Sequence, residues 1–344
     1  MKVILSALEY INCNLCGTDE SELVFVANEN QFHIDGHFNV VKCKKCGLVY
    51  VNPRPTRENI GTYYPEGKYY THCEPSNSKP LRHKIKRLVI MSISGYDTKI
   101  GRFKKLLGSI LEKFLSGQIC NIVPFKENGK ILDVGCGNGE MIGWMKEYGW
   151  KTYGVEISKE AYEQAKRQGI EVFLGELQDA FFPSDFFDVI TANQVLEHVY
   201  KPLALLRECN RILKKDGLLI VGCPNFNSFD SKLFGKDWSA LQVPTHLYHF
   251  TPLTLNRILN TAGFEINKWK FKVPFPLYDK LSLKIYKENN KNNFLMHLLK
   301  LILKASLFKG IRWFFSTNRG SKFSVNLNVY ASKTSLGEYK VRCL

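Results

Sequence analysis

An apolar run, KILDV (130–134), leads straight into Gly135-Cys136-Gly137-Asn138-Gly139 and then into an amphipathic stretch from Glu140 to Tyr148. A strand that turns through glycines into a helix can bring its backbone against a ligand where a side chain would collide, and the helix N-terminus adds a positive dipole. The alternation continues with TYGVE, a helical period from Lys159 to Gln168, EVFL, FDVITAN, a helix from Pro202 to Leu213, and GLLIVGC. Asp216-Gly217 reads as the turn that separates that helix from its strand. A further helix, Pro252 to Ala262, stops at Gly263, and two late alternating runs, EINKWKFKV and KFSVNLNVYA, complete seven strands. This βαβ rhythm predicts an α/β, Rossmann-like, doubly wound and mostly parallel seven-stranded sheet.

The charges around the glycines narrow the ligand. Glu156, 21 residues beyond Gly135, stands where a carboxylate can accept ribose hydroxyls, which alone suits a dinucleotide equally well. Against a dinucleotide, the third glycine of that fingerprint falls on Glu140, and Asp133 sets a carboxylate where it would repel a pyrophosphate. It suits an ammonium group, and S-adenosylmethionine (SAM) has an ammonium and no phosphate.

The segments ILDVGCGNGE, VEIS, FDVITANQVLEHV, LKKDGLLIVGCPN and AGFE, in this order, closely resemble class I SAM-dependent methyltransferases. The resemblance spans residues 125–272 and again 322–332. It implies that Asp133, Gly135, Cys136 and Gly137 line the methionine end of SAM, that Glu156 with the adjoining Ile157 takes the ribose side, and that Glu176 and Asn193 complete the site. The GEL context of Glu176 also reads as a plain polar turn, and glycines kept only for packing are the alternative for the whole pattern.

Upstream, Cys13-x-x-Cys16 and Cys43-x-x-Cys46 form two hooks, each followed by glycine, Gly17 and Gly47. Four thiolates at this spacing are expected to hold Zn2+ in a closed, structural site, with chance core cysteines or a redox pair as the alternative. The hooks, the segment CGLVYVNPRP and the following domain are together similar to zinc-containing methyltransferases among the sugar C-methyltransferases and related glycan or secondary-metabolite enzymes. The expected layout is a zinc-ribbon-like module over 10–65, connecting helices over 66–124 and a methyltransferase domain over 125–335, with a basic helical insert or lid over 274–321 before the last strand.

Methyl transfer needs an aligned nucleophile and, where the acceptor carries a proton, a base. Open α/β sheets bind ligands beyond the carboxyl ends of their strands, which points to His198 after the fourth strand. The run PTHLYHFT after the fifth strand resembles the family's loop over the acceptor and adds His246, Tyr248 and His249. The bland alternatives are a helix cap for His198 and a hydrogen-bonded loop pin for the others.

The chain carries a formal charge of +16, concentrated in Lys79–Lys113 and after Lys268. An RNA-modifying methyltransferase is therefore the rival enzyme class, but ANQVLEHV lacks the Asn-Pro-Pro-aromatic pattern of many nucleobase methyltransferases, so nucleic acid is not the expected partner. A non-catalytic SAM-fold scaffold is the third class. The start, MKVILSALEYINC, falls short of a secretory signal, and the apolar run 294–315 is cut by basic residues, which suits a lid or an anionic membrane surface better than a span. A cytoplasmic enzyme is expected, with peripheral contact at the inner membrane face as an option. Its acceptor is expected to be a small molecule, a nucleotide-linked or lipid-linked sugar among the candidates.

Overall fold

The computed structural model describes residues 7–30, 32, 34–64, 88–90, 92, 96, 107, 108, 110, 123–271, 280–289, 324 and 326–334. The N-terminal strands are β1 (Leu8–Glu9), β2 (Ser21–Asn28), β3 (His37–Cys43), β4 (Val49–Val51) and β5 (Arg54–Pro55). β1 pairs with β5, and β2, β3 and β4 form an antiparallel meander. Its inner face buries Phe38, Val40, Val49 and Val51, with Trp238 and Phe234 of the second domain packed against them.

The large domain begins with β6 (Lys130–Val134), α1 (Glu140–Glu147), β7 (Lys151–Glu156), α2 (Lys159–Arg167) and β8 (Glu171–Leu174). The chain then crosses to β9 (Phe187–Asn193), α3 (Pro202–Ile212) and β10 (Leu213–Pro224). It continues through α4 (Phe229–Phe234), β11 (Tyr248–His249), α5 (Pro252–Thr261), β12 (Phe264–Phe271), α6 (Lys280–Asn289) and β13 (Asn326–Lys333). Seven strands form one sheet in the order β12-β13-β10-β9-β6-β7-β8. The five from β8 to β10 run parallel, while β13 and β12 are antiparallel. β9 reads FDVITAN with its first six residues buried, as a parallel strand covered on both faces requires. The strand order reverses between β6 and β9, so the crevice of this fold opens beyond their carboxyl ends.

Local chemistry sets the helix starts. The Ser158 hydroxyl accepts the Ala161 N–H at the start of α2, and Thr251 and Thr254 cap α5 reciprocally with Pro252 in its first turn.

One expectation needs correction. Asp216-Gly217 is not a turn between helix and strand: β10 starts at Leu213, directly after α3, and runs through both residues. Leu213 pairs with Phe187 and Leu218 with Val189, so the register shift between them absorbs the intervening residues as an irregular stretch of strand. The Lys214 ammonium, 2.8 Å from the Asp188 carboxylate, holds that stretch to β9. The N-terminal module shares its sheet and core with the large domain. β11, from the loop expected over the acceptor, pairs with β4 (Tyr248 with Tyr50, His249 with Val49), which makes the module sheet four-stranded. Cys13, Cys43, Cys46 and Tyr50 share one core with Leu247, Phe250, Leu255 and Ile258.

Of the insert expected over 274–321, α6 is described; the 294–315 run and most of the connecting segment 66–124 lie outside the described residues. Among the described residues, no helix is long and apolar enough to cross a membrane.

Candidate active site

Asp133 sits in β6 one residue before its end, buried beneath the glycine turn, and its carboxylate accepts the Thr191 hydroxyl of β9 at 2.5 Å. Burial, with the nearby Glu156 charge adding to it against the Thr191 bond, raises its pKa to about 7. The N–H groups of Gly135 and Cys136 both donate to the Val155 carbonyl, at 2.8 and 3.1 Å, which folds the turn over β7. Gly135 adopts φ +67°, and a Cβ there would stand 2.7 Å from the Val195 methyl, so glycine is required both by conformation and by the approach of the β9 loop.

Glu156 closes the turn. One carboxylate oxygen accepts the Gly137 N–H at 2.8 Å, and the other accepts those of Ile157 and Ser158 at 2.9 Å each. The residue expected to meet the ribose therefore also organises the loop. Beside it, the Ile157 side chain is 75% exposed, an apolar surface at the lip of the crevice. The Cys136 thiol is buried against β7, and burial with the Asp133 and Glu156 charges holds its pKa far above the usual thiol range. Glu176 lies at the surface, ion-paired with Arg57 of the N-terminal module. Asn193 ends β9 in contact range of Gly222, and Gln194, at φ +57°, turns the chain sharply into VLEHV.

That turn delivers the second half of the site. Glu197 is 1% exposed, and neither carboxylate oxygen has a hydrogen-bond partner among the described residues. Burial raises its pKa to about 8. Its backbone carbonyl accepts the N–H groups of Leu247 and Tyr248, at 2.7 and 3.2 Å, which fastens the PTHLYHFT loop to it. His198 lies with Nδ1 3.0 Å from the Thr245 carbonyl and 3.0 Å from the Tyr64 hydroxyl. The His246 Nδ1 stands 2.9 Å from the Ala240 carbonyl. The two imidazoles meet edge to face, 4.5 Å between centroids. Burial lowers His198 to about 4 and takes His246 well below the ordinary histidine range, so both rings are neutral. One nitrogen from each ring and a Glu197 oxygen lie within 4.8 Å of one another.

Of the four side chains expected at the acceptor, the structure brings His198 and His246 together and separates Tyr248. The Tyr248 hydroxyl donates to the Tyr200 carbonyl at 3.1 Å and accepts from Arg54 at 3.0 Å, facing the module rather than the histidine pair. His249 is buried against the Phe226 ring, 5.5 Å between centroids, in β11. Sequence reasoning passed over Glu197, whose signal was a carboxylate between apolar Leu196 and His198. It also missed Tyr64 and Thr191, which carry no sequence signal because their partners are 134 and 58 residues away.

At the other end of the module, the Cys13 and Cys46 sulfurs are 3.4 Å apart and those of Cys16 and Cys43 are 3.5 Å apart. The two hooks repeat one geometry. Gly17 and Gly47 both adopt φ +76°, and their N–H groups donate to the Cys13 and Cys43 carbonyls at 2.8 and 2.9 Å. Arg257 of α5 donates to the Cys46 carbonyl at 2.6 Å, tying the hook to the large domain.

Among known proteins, the chain is similar in sequence to methyltransferases. The family described as a methyltransferase domain matches residues 104–268. A ubiquinone biosynthesis O-methyltransferase of Maricaulis maris is 31% identical over 173 residues, 46% of this chain and 68% of that protein. A protein of the same name from Haemophilus ducreyi is 29% identical over 184 residues, 47% of this chain and 78% of its own length. Among solved structures, a SAM-dependent methyltransferase from Archaeoglobus fulgidus aligns with a TM-score of 0.43 at 21% identity, covering 67% of this chain and 94% of that one. With a glycine turn folded over β7, acidic residues at the ends of β6 and β7, and this relationship in sequence, the chain belongs to the class I SAM-dependent methyltransferases.

Proposed function

We propose that the protein methylates a hydroxyl group of a small molecule, a sugar, glycan intermediate or secondary metabolite, held between the glycine turn and the Glu197–His198–His246 cluster. The observation that carries this reading is a buried carboxylate with no hydrogen-bond partner among the described residues, beside two neutral imidazoles at the carboxyl end of β9, directly after the strand that flanks the cofactor crevice. The relatives named as ubiquinone biosynthesis O-methyltransferases support an oxygen acceptor on a small molecule.

SAM fits the crevice by charge. No cation among the described residues pairs with buried Asp133, which leaves its carboxylate for the ammonium of the methionine moiety. Gly135, Cys136 and Gly137 present backbone there, Glu156 retains acceptor capacity for a ribose hydroxyl beyond its three N–H bonds, and Ile157 offers an apolar face to the adenine. Glu176 and Asn193 stand at the rim. When bound, SAM supplies a methyl group on a sulfonium, open to in-line attack. The protein's part is to orient the acceptor, exclude water and accept its proton, for which Glu197, His198 and His246 are placed. Tyr248 and His249 support this wall from behind.

The four cysteines fit Zn2+. Thiolates around zinc at about 2.3 Å stand about 3.8 Å apart in a tetrahedron, close to the sulfur separations seen, which are too long for disulfides. With four protein thiolates the ion has no open position, so its role is structural. It locks the module whose strand β4 carries the acceptor loop.

Calorimetric titration of SAM into the zinc-replete protein, with Asp133→Ala and Glu156→Ala as controls, tests the cofactor site. A screen of nucleotide sugars and hydroxylated metabolites then tests the acceptor class. His198→Asn and His246→Ala should cut turnover with SAM affinity intact. Full turnover in both would remove the histidines from the mechanism, and no SAM binding by the wild type would turn the reading to a scaffold.

A further inference from the structure

We propose that Glu197, His198 and His246 bind one divalent transition-metal ion, separate from the four-cysteine site and facing the acceptor. The argument is a count of donors and acceptors. The Ala240 carbonyl, 2.9 Å from His246 Nδ1, accepts only from an N–H, so that hydrogen sits on Nδ1 and Nε2 carries a lone pair. The Thr245 carbonyl, 3.0 Å from His198 Nδ1, places a hydrogen there too, with the Tyr64 hydroxyl beside that nitrogen accepting from it and donating to the same carbonyl at 3.4 Å. Glu197 adds a carboxylate with both oxygens unpartnered among the described residues, at 1% exposure. A Glu197 oxygen and one nitrogen of each ring lie within 4.8 Å of one another, and no side-chain donor among the described residues serves the carboxylate.

Such a cluster is costly unless a cation, a proton or a metal, sits within it. A single proton shared between carboxylate and imidazole satisfies one pair and leaves the other ring facing it. A metal satisfies all three. Two imidazoles and one carboxylate, each ring held by a backbone carbonyl through its other nitrogen, are the ligand and outer-shell pattern of open divalent sites. Ligand atoms about 2.1 Å from an ion stand about 3 to 4.2 Å from one another, so atoms within 4.8 Å close around it by small side-chain rotations.

The set is assembled by the fold. Glu197 and His198 come from the turn after β9, and His246 from the loop whose next residues donate N–H groups to the Glu197 carbonyl. The three protein ligands leave positions for outside oxygens, so an acceptor hydroxyl bound there ionises more readily, and with the ion in place it, rather than the three side chains acting as bases, favours loss of that proton. This last consequence rests on the methyltransferase reading above; the ion site does not, because it is measured without SAM or acceptor.

The test uses the full chain with its cysteine site loaded with zinc, dialysed against Mn2+ and, separately, Co2+, with bound metal counted by elemental analysis and followed by Mn2+ paramagnetic resonance. The expected result is one equivalent of Mn2+ or Co2+ beyond the zinc, with Co2+ absorption lacking thiolate charge-transfer bands. Glu197→Gln keeps the volume and removes the charge, and His246→Gln removes a ligand. Because loss of an outer-shell partner alone costs about 10–100-fold, each should bind at least about 100-fold more weakly. Wild-type protein that binds no ion beyond the cysteine equivalent overturns the proposal whatever the variants do. So does unaltered binding in both variants with zinc content and circular dichroism retained. Neither result touches SAM binding, which calorimetry reads separately.

Discussion

Asp133 makes the cofactor site sensitive to pH in a way that can be calculated. Burial raises its free-state pKa to about 7, while an ammonium placed beside it would favour the ionised form. SAM binding should therefore expel the Asp133 proton whenever it is present. At pH 6 about nine-tenths of the free protein carries that proton and at pH 7 about half, so the apparent Kd should weaken about fivefold from pH 7 to pH 6. Over this range the ligand's own α-amino group, with a pKa of about 7.7–8.0, stays mostly protonated and contributes little. Titration calorimetry in two buffers of different ionisation enthalpy reads the proton directly, and about 0.9 proton per SAM should be released at pH 6. Asp133→Asn keeps the shape and the Thr191 contact, removes the charge, and should bind SAM about 10–100-fold more weakly with no proton release. A wild-type Kd that is flat from pH 7 to 6, with no proton released, would refute the placement of the ammonium at Asp133.

Three further outcomes follow from the packing. Burial alone would raise the Asp188 carboxyl, but Lys126, the Lys130 N–H and Lys214 bring it down to about 2, so its contribution is present above pH 4 and is lost as pH falls to 2. Asp188→Asn should cost about 2.5 kcal/mol in urea unfolding at pH 7 and under 1 kcal/mol near pH 2, and an equal cost at both would assign the effect to packing. Arg54→Ala removes a buried guanidinium shared by Glu9, the Tyr200 carbonyl and the Tyr248 hydroxyl, and should destabilise the protein by about 3 kcal/mol in the same assay. Cys13→Ser should lose zinc and, because β11 pairs with β4, lower the protection of the Val51 and His249 amides in hydrogen exchange; zinc retained at one equivalent would contradict four-sulfur coordination.

The sheet was legible because its signals are local. Strands buried on both faces must be apolar throughout, so KILDV and FDVITAN declare themselves, and Gly135 is demanded by a turn that begins and ends within a few residues. The Asp216-Gly217 reading failed because turn chemistry is a preference, and pairing of Leu213 with Phe187 together with the Lys214–Asp188 ion pair outweighed it. Half of the acceptor wall was visible as histidines after two strands, but which of them converge was not.

What the sequence determined by itself, then, is what short-range covalent spacing can encode: the alternation of strand and helix, the glycine turn with acidic Asp133 and Glu156, and two cysteine hooks with a glycine behind each. Tertiary structure decided everything that depends on which distant segments touch. It paired β11 with β4, so that the cysteine module and the acceptor loop became one sheet. It turned Tyr248 toward Arg54 and His246 toward His198, although the two residues are separated by one position in the chain. It also buried Glu197 without a donor among the described residues, a state that no local pattern can announce, because burial is set by the layers that close over a residue and not by its neighbours in sequence.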